Sequence, residues 1–350
     1  MRTRRFFLKS LLGLGAVILP WTGFPQQMAK ALEGMFNGFS AKLSLPPPAS
    51  PPDTIVAGDE EKENLYRSAL EDIIVLTGPE MQGREAGTAG EIKAAEYLTG
   101  QMRALGLQPK GDDGAGFAQA FTIPAVHKIV VSNRLTFTLG NDDSLRTPSA
   151  NLLGVLPGAT EETVILSAHY DHLGIYQGQI YPGANDNASG VACVLDVIRR
   201  LLREEIKLRR TLLIGFWGAE ESGYNGSKAF ISRPVLPLSQ IKAVLNVDTV
   251  GNGVTGDFLL WGKNENVAVQ AVRQAADLAG CSAVLTPNSA HNSDQLSFAQ
   301  AGIPAVTLLT RDWLRNNHTP QDVVDSLSLE QMAKASEIIY EAIRALDQEE

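Results

Sequence analysis

The run Thr211–Trp217, TLLIGFW, carries no charge. A stretch this short and this apolar reads as a strand buried on both faces, the habit of parallel sheets covered by helices. It leads straight into Gly218-Ala219-Glu220-Glu221, so two adjacent carboxylates follow a buried strand. Val164–Leu166 repeats the pattern and delivers His169 and Asp171 where its apolar run ends, and Ala243–Val247 ends at Asp248. Asn151–Leu156, Phe258–Trp261 and Ala305–Leu309 read as further strands, and residues 129–139 alternate as one more.

Helical periodicity fills the intervals. Leu65, Ala69, Ile73 and Leu76 recur at helical spacing up to Gly78-Pro79. Ala95, Leu98, Met102 and Leu105 form a stripe between a Thr88-x-x-Glu91 capping box and Gly106. Val191, Val194, Leu195, Ile198 and Leu202 mark another helix, residues 267–278 a further one, and Leu329 to Leu346 a last one after Ser328, with Gln331 as its capping partner. Strands alternating with helices predict an α/β fold: a three-layer α/β/α sandwich with a mostly parallel mixed central sheet flanked by helices. At 350 residues and 44% hydrophobic content the chain can bury a substantial core.

The first ten residues, MRTRRFFLKS, are basic and precede an apolar stretch, Leu11–Phe24, too short for a comfortable membrane span. Thr3 to Lys9 resembles the twin-arginine export motif, and Ala29-Lys30-Ala31 offers a cleavage site. Without residues 1–31, which contain five basic residues and no acid, the formal charge of −9 becomes 25 basic against 39 acidic residues, or −14. Such a surface argues against nucleic acid or anionic membrane as partner. Cys193 and Cys281 are the only cysteines, so no disulfide framework holds the fold, and both read as free core thiols.

Alone, an Asp after a strand is usually a cap or a turn residue. Together, parallel strands bring His169, Asp171, Glu220, Glu221 and Asp248 to one end of the sheet, with Asp186 in the loop after the first strand and His318 in a late polar segment. Five carboxylates in one cleft resist ionisation unless a cation compensates them. Mixed His and carboxylate ligands suit zinc, with cobalt or manganese as substitutes. The charge balance favours two ions, roughly 3.5–4 Å apart, clamping one hydroxide. Asp171 and Glu220 are then left to orient a histidine and to take a proton from the shared water.

The segments VILSAHYDHLG, PGANDNASGVA, GFWGAEESGYNGS, VLNVDTVG and HTPQDVVDSL resemble the five signature segments of the co-catalytic di-zinc aminopeptidases, in family order. Steps of 17, 35, 27 and 70 residues from His169 through Asp186, Glu221 and Asp248 to His318 are similar to the family's spacing. Upstream, Met81-Gln82-Gly83-Arg84 and Asn151-Leu152-Leu153-Gly154 resemble family segments too, as does Ser293-Asp294 with Phe298, so the likeness covers about residues 65–345. The resemblance implies that Asp186 bridges two zinc ions, that His169 and Asp248 bind one, and that Glu221 and His318 bind the other. It implies Glu220 as general base, Asp171 as orienter, a cis peptide after Asp186, and peptides with a free N-terminus as substrates. Gln295 stands where many relatives carry a histidine, which leaves His291 as the candidate for stabilising the oxyanion. His172 reads as a structural loop residue.

The resulting expectation is a signal over residues 1–31, a Pro-rich linker over 32–60 and a single zinc-peptidase catalytic domain over 61–350. The twin-arginine machinery would export the protein to the periplasm or the medium, with no stable membrane insertion after signal cleavage. Three alternatives stay open at this point. A one-zinc glutaminyl cyclase on the same fold needs only Asp186, Glu221 and His318; a carboxypeptidase or other amide hydrolase would use the same centre; and a non-catalytic binding module would keep the fold alone.

Overall fold

The computed structural model describes residues 60–140, 146–286 and 291–348. The signal expected over residues 1–31 and all of the Pro-rich segment but Glu60 lie outside the described residues. No helix among the described residues is long and apolar enough to cross a membrane.

Numbered along the chain, the strands are β1 (Gln108–Pro109), β2 (Ala118–Pro124), β3 (Val126–Val131), β4 (Arg134–Leu139), β5 (Arg146–Leu156), β6 (Thr160–His169), β7 (Ile175–Tyr176), β8 (Gln179–Ile180), β9 (Arg210–Trp217), β10 (Ile241–Val247), β11 (Asp257–Trp261), β12 (Ser282–Thr286) and β13 (Ala305–Thr310). Nine of them form one sheet in the order β1-β5-β9-β6-β10-β13-β11-β12, with β2 also on β5. The three apolar runs that end in ligand-type residues are adjacent and parallel: β9 beside β6, β6 beside β10. β13 continues the parallel block, whereas β5 and β11 flank it antiparallel. The sheet is therefore the mixed sheet expected, parallel at its centre and antiparallel where β5 and β11 flank that block.

The helices are α1 (Glu60–Leu76), α2 (Ala89–Ala104), α3 (Gly190–Arg203), α4 (Asn225–Ser232), α5 (Val267–Leu278), α6 (Gln295–Gln300) and α7 (Leu329–Gln348). On one face of the sheet Trp217, Ile165, Leu213 and Val244 pack with Phe230 of α4 and Phe298 of α6. Val164, Leu166, Leu212 and Ile214 alternate with these and are buried as well, beneath a layer in which α3 contacts β6 and β10 and stacks against α1 and α7. Burial on both faces is what makes these strands continuous in apolar character. Cys193 and Cys281 are free and buried.

Three local expectations are corrected. Residues 129–139 are two strands: β3 and β4 form a hairpin whose turn, Ser132-Asn133, takes left-handed φ values of 50° and 64°. Alternation continues through such a two-residue turn, so periodicity alone hides it. Thr88 caps α2 by accepting from Gly90 N, but the Glu91 carboxylate reaches Gly87 N and Ser149 Oγ instead of closing the box on Thr88. Gln331 is likewise drawn away from the start of α7, its Oε1 accepting from Gly256 N at 2.6 Å.

Candidate metal centre

β6 presents His169 as its last residue, β10 is followed at once by Asp248, and Glu220 and Glu221 follow the turn after β9. Because the three strands are parallel neighbours, their ends open on one cleft. It has a volume of about 360 Å³, and His169, Asp186, Glu220, Glu221, Asp248 and His318 all line it.

Asp186 sits in the turn between β8 and α3, where the Asp186–Asn187 peptide is cis. Its two oxygens face different partners. Oδ1 is 3.3 Å from His169 Nε2, which is itself 3.5 Å from Asp248 Oδ1. Oδ2 is 3.2 Å from His318 Nε2, which is 3.0 Å from Glu221 Oε2. The five residues expected as metal ligands thus fall into two trios that share one carboxylate. Asp248 Oδ1 is buried without a hydrogen-bond partner among the described residues. A buried acceptor next to an imidazole nitrogen fits a cation, and the nitrogen and oxygen donors of both trios fit zinc.

Without a cation the acids and imidazoles compensate one another. Burial lowers the His169 and His318 imidazoles, but the surrounding carboxylates more than reverse it and raise both well above the usual range. Burial works against the charge on Glu221 too, yet His318 and His172 hold it down to about 2. Glu220 differs. Burial, opposed by His169 and reinforced by Asp294, Glu221 and Asp248, lifts its carboxyl well above the ordinary value.

Asp171 is buried between these groups. Its carboxylate accepts from the main-chain amides of Glu220 at 2.9 Å and Glu221 at 3.3 Å, while its main-chain oxygen lies 3.2 Å from His169 Nδ1 and its Oδ1 3.8 Å from the same nitrogen. One residue therefore links the histidine strand to the glutamate turn. Ala219 and Thr249, which precede Glu220 and follow Asp248, adopt left-handed φ values of 56° and 48°. A β-branched residue rarely does so, and Thr249 is pinned there: its N–H donates to Asn187 Oδ1 and its carbonyl accepts from Thr310.

Several supporting residues escape sequence reasoning. His172 is more than a loop residue, since its Nδ1 lies 2.8 Å from Glu221 Oε1, the oxygen not facing His318. Asn317 donates to Asp186 Oδ2 at 2.5 Å. Arg84, fully buried, donates to the carbonyls of Tyr170, Leu76, Pro182 and Gly183, the last two on the loop just before Asp186, and burial lowers its pKa to about 10. Arg84 stands inside a quoted segment, so a signal existed for it; an Asn beside a His carries none. His291 also lines the cleft, its ring 5.0 Å from that of Trp313, which in turn meets Trp261 edge-on at 5.0 Å.

Comparison with known proteins agrees with this geometry. Curated relatives include "Leucine aminopeptidase 1" of Coccidioides posadasii, 29% identical over 204 residues, and that of Leptosphaeria maculans, 28% identical over 205 residues. Each alignment covers 52% of this chain and 52% of the relative, so the chain matches about half the length of these proteins. Among solved structures, the zinc aminopeptidase BSAP from Bacillus subtilis superposes with a TM-score of 0.66 at 18% identity, over 80% of this chain and 95% of that one. A glutaminyl cyclase from Porphyromonas gingivalis gives 0.57 at 18% identity, over 80% and 98%. At such identities these structures establish the shared fold. The model of peptidase family M28 matches residues 151–343, more than half of the sequence and all five residues of the two trios, and the chain belongs to that family.

Proposed function

We propose that the protein is a two-zinc aminopeptidase that removes the first residue from peptides with a free N-terminus. The observation that carries this reading is the split Asp186 carboxylate, with one oxygen toward His169 and Asp248 and the other toward Glu221 and His318. His169, Asp186 and Asp248 would hold one zinc, and Glu221, His318 and Asp186 the other. When bound, the pair supplies Lewis-acid polarisation of the scissile carbonyl and a nucleophile at neutral pH.

The chain's own residues do the rest. Glu220, lining the cleft with a carboxyl raised by burial, takes a proton from the attacking water and returns it to the departing amine nitrogen. Asp171 fixes Glu220 and Glu221 through their amides, so the base keeps its place as its charge changes. Trp261, Trp313 and Tyr224 line the cleft with aromatic surface on which an apolar N-terminal side chain can rest. The paired arginines of the leader support export through the twin-arginine machinery to the periplasm or the medium.

Both trios are complete, which favours this reading over a one-zinc cyclase on the same fold and over a non-catalytic module. The test is to incubate the zinc-loaded protein with free and N-acetylated peptides and follow products by mass spectrometry. Stepwise loss of N-terminal residues from the free peptides alone is expected. Cyclisation of N-terminal glutamine without trimming, or release from the C-terminus, would replace the proposal.

A further inference from the structure

The β3–β4 hairpin precedes residue 151, where the family match begins, yet it grips the segment that carries His318. Leu135 bonds His318 twice. Its N–H donates to the His318 carbonyl at 3.1 Å, and its carbonyl lies 2.9 Å from His318 Nδ1. A proton on Nδ1 leaves the Nε2 lone pair facing Asp186 and Glu221, the form a metal ligand requires. The hairpin is well anchored for this task. Leu135 is buried with Leu173 and Tyr181, and Lys128 is 2.6 Å from Glu85.

Arg134, one residue earlier, reaches the same segment through its guanidinium. Nη1 donates to Asn317 Oδ1 at 3.2 Å, and Nη2 donates to the Leu314 carbonyl. Asn317 is buried, and its amide has only two useful orientations. With Oδ1 toward Arg134, Nδ2 donates to Asp186 Oδ2. In the flipped state a carbonyl oxygen would face the carboxylate and an NH₂ would face the guanidinium, so both contacts would turn repulsive.

We propose that Arg134 is a positioning residue of the metal centre: by fixing the Asn317 amide it sets the Asp186 oxygen that faces His318 and Glu221, and so controls the second ion. The proposal rests on the two-zinc reading above. It gives a hairpin outside the matched family region a defined task, which a packing role alone would not.

The experiment is a double-mutant cycle on zinc affinity, measured by chelator competition on the full chain, with Arg134→Met, Asn317→Ala and the pair. Each single change is expected to weaken one of the two zinc ions about 10-fold while sparing the other. If Arg134 acts through Asn317, the pair weakens it no further than either alone. Arg134→Lys, which keeps one donor, should recover part of the loss. Unfolding of the zinc-free variants alongside wild type separates this from general destabilisation. An unchanged affinity in Arg134→Met, or two losses that multiply to about 100-fold, overturns the proposal. So does a KM increase confined to acidic peptides with zinc affinity intact, which would make Arg134 a substrate contact. A wild-type chain that takes up only one zinc would remove the two-zinc reading itself, a result distinct from all of these.

Discussion

Asp322 holds Asp186 by the backbone. Its Oδ1 accepts from Asn185 N at 2.7 Å and its Oδ2 from Asp186 N at 3.0 Å, across 136 residues of chain. A fully buried carboxylate thus fixes the loop whose own carboxylate faces both trios. Asp322→Asn keeps the shape but leaves one amide hydrogen facing an NH₂ group. The expected cost is about 1–3 kcal/mol in urea unfolding, with weaker zinc binding alongside. A variant within about 0.5 kcal/mol of wild type, with zinc affinity unchanged, would show that the loop is held by other contacts.

Glu220 belongs to neither trio, and its place in the cleft leaves it available for proton transfer. Glu220→Gln retains size and removes the proposed base. Turnover should fall about 10²–10⁴-fold while two zinc ions per chain remain bound, as metal analysis of the same sample would show. Loss of zinc in step with activity would place Glu220 among the ligands instead.

Parallel pairing brings the strand ends that carry His169, Glu220, Glu221 and Asp248 to one cleft without knowledge of any side-chain contact, whereas the division into two trios, with His318 in the second, is legible only through the family resemblance. Arg84 shows where such reading stops. Its four acceptors are main-chain carbonyls, up to 99 residues away, and a carbonyl leaves no mark on sequence. Met81-Gln82-Gly83-Arg84 is recognisable as a segment without revealing that its guanidinium is an internal strut. The hairpin is hidden for another reason, since Ser132-Asn133 preserves the alternation of its strands. Glu91 reads as a capping residue, but Ser149 and Tyr170, brought in by the sheet, give its Oε1 other partners.

Glu91 also predicts a pH dependence. Burial raises its pKa to about 7, against an ordinary 4.5, despite hydrogen bonds from Ser149, Gly87 and Tyr170. The folded state therefore holds the proton more tightly than the unfolded state. Its contribution to stability is full below about pH 4.5 and is lost as pH rises through about 7. The shift corresponds to about 3 kcal/mol. In Glu91→Gln this contribution disappears, so wild type should lose about 3 kcal/mol relative to the variant between pH 4.5 and 8, in urea titrations at saturating zinc. Parallel stability curves would mean that the hydrogen bonds keep Glu91 ionised throughout.

Gly83 allows the loop ahead of Arg84 to press against the segment that follows β6. It adopts φ 69°, and a Cβ there would lie 2.5 Å from the Tyr181 carbonyl oxygen and 2.6 Å from that of Gly174. Both obstacles are backbone, so neither can turn aside, and the Gly83 carbonyl is itself the acceptor for Gly174 N at 2.9 Å. Gly280 is the natural control, with φ 68° and nothing within 4 Å of its would-be Cβ. Gly280→Ala should cost only the left-handed backbone term, about 1–2 kcal/mol. Gly83→Ala carries that term and the crowding, and about 3 kcal/mol or more is expected, with Arg84 pulled from its carbonyls and zinc held less tightly. Urea unfolding of the two variants decides the matter: equal losses would mean that conformation alone, and not the close approach of the two segments, requires glycine at position 83.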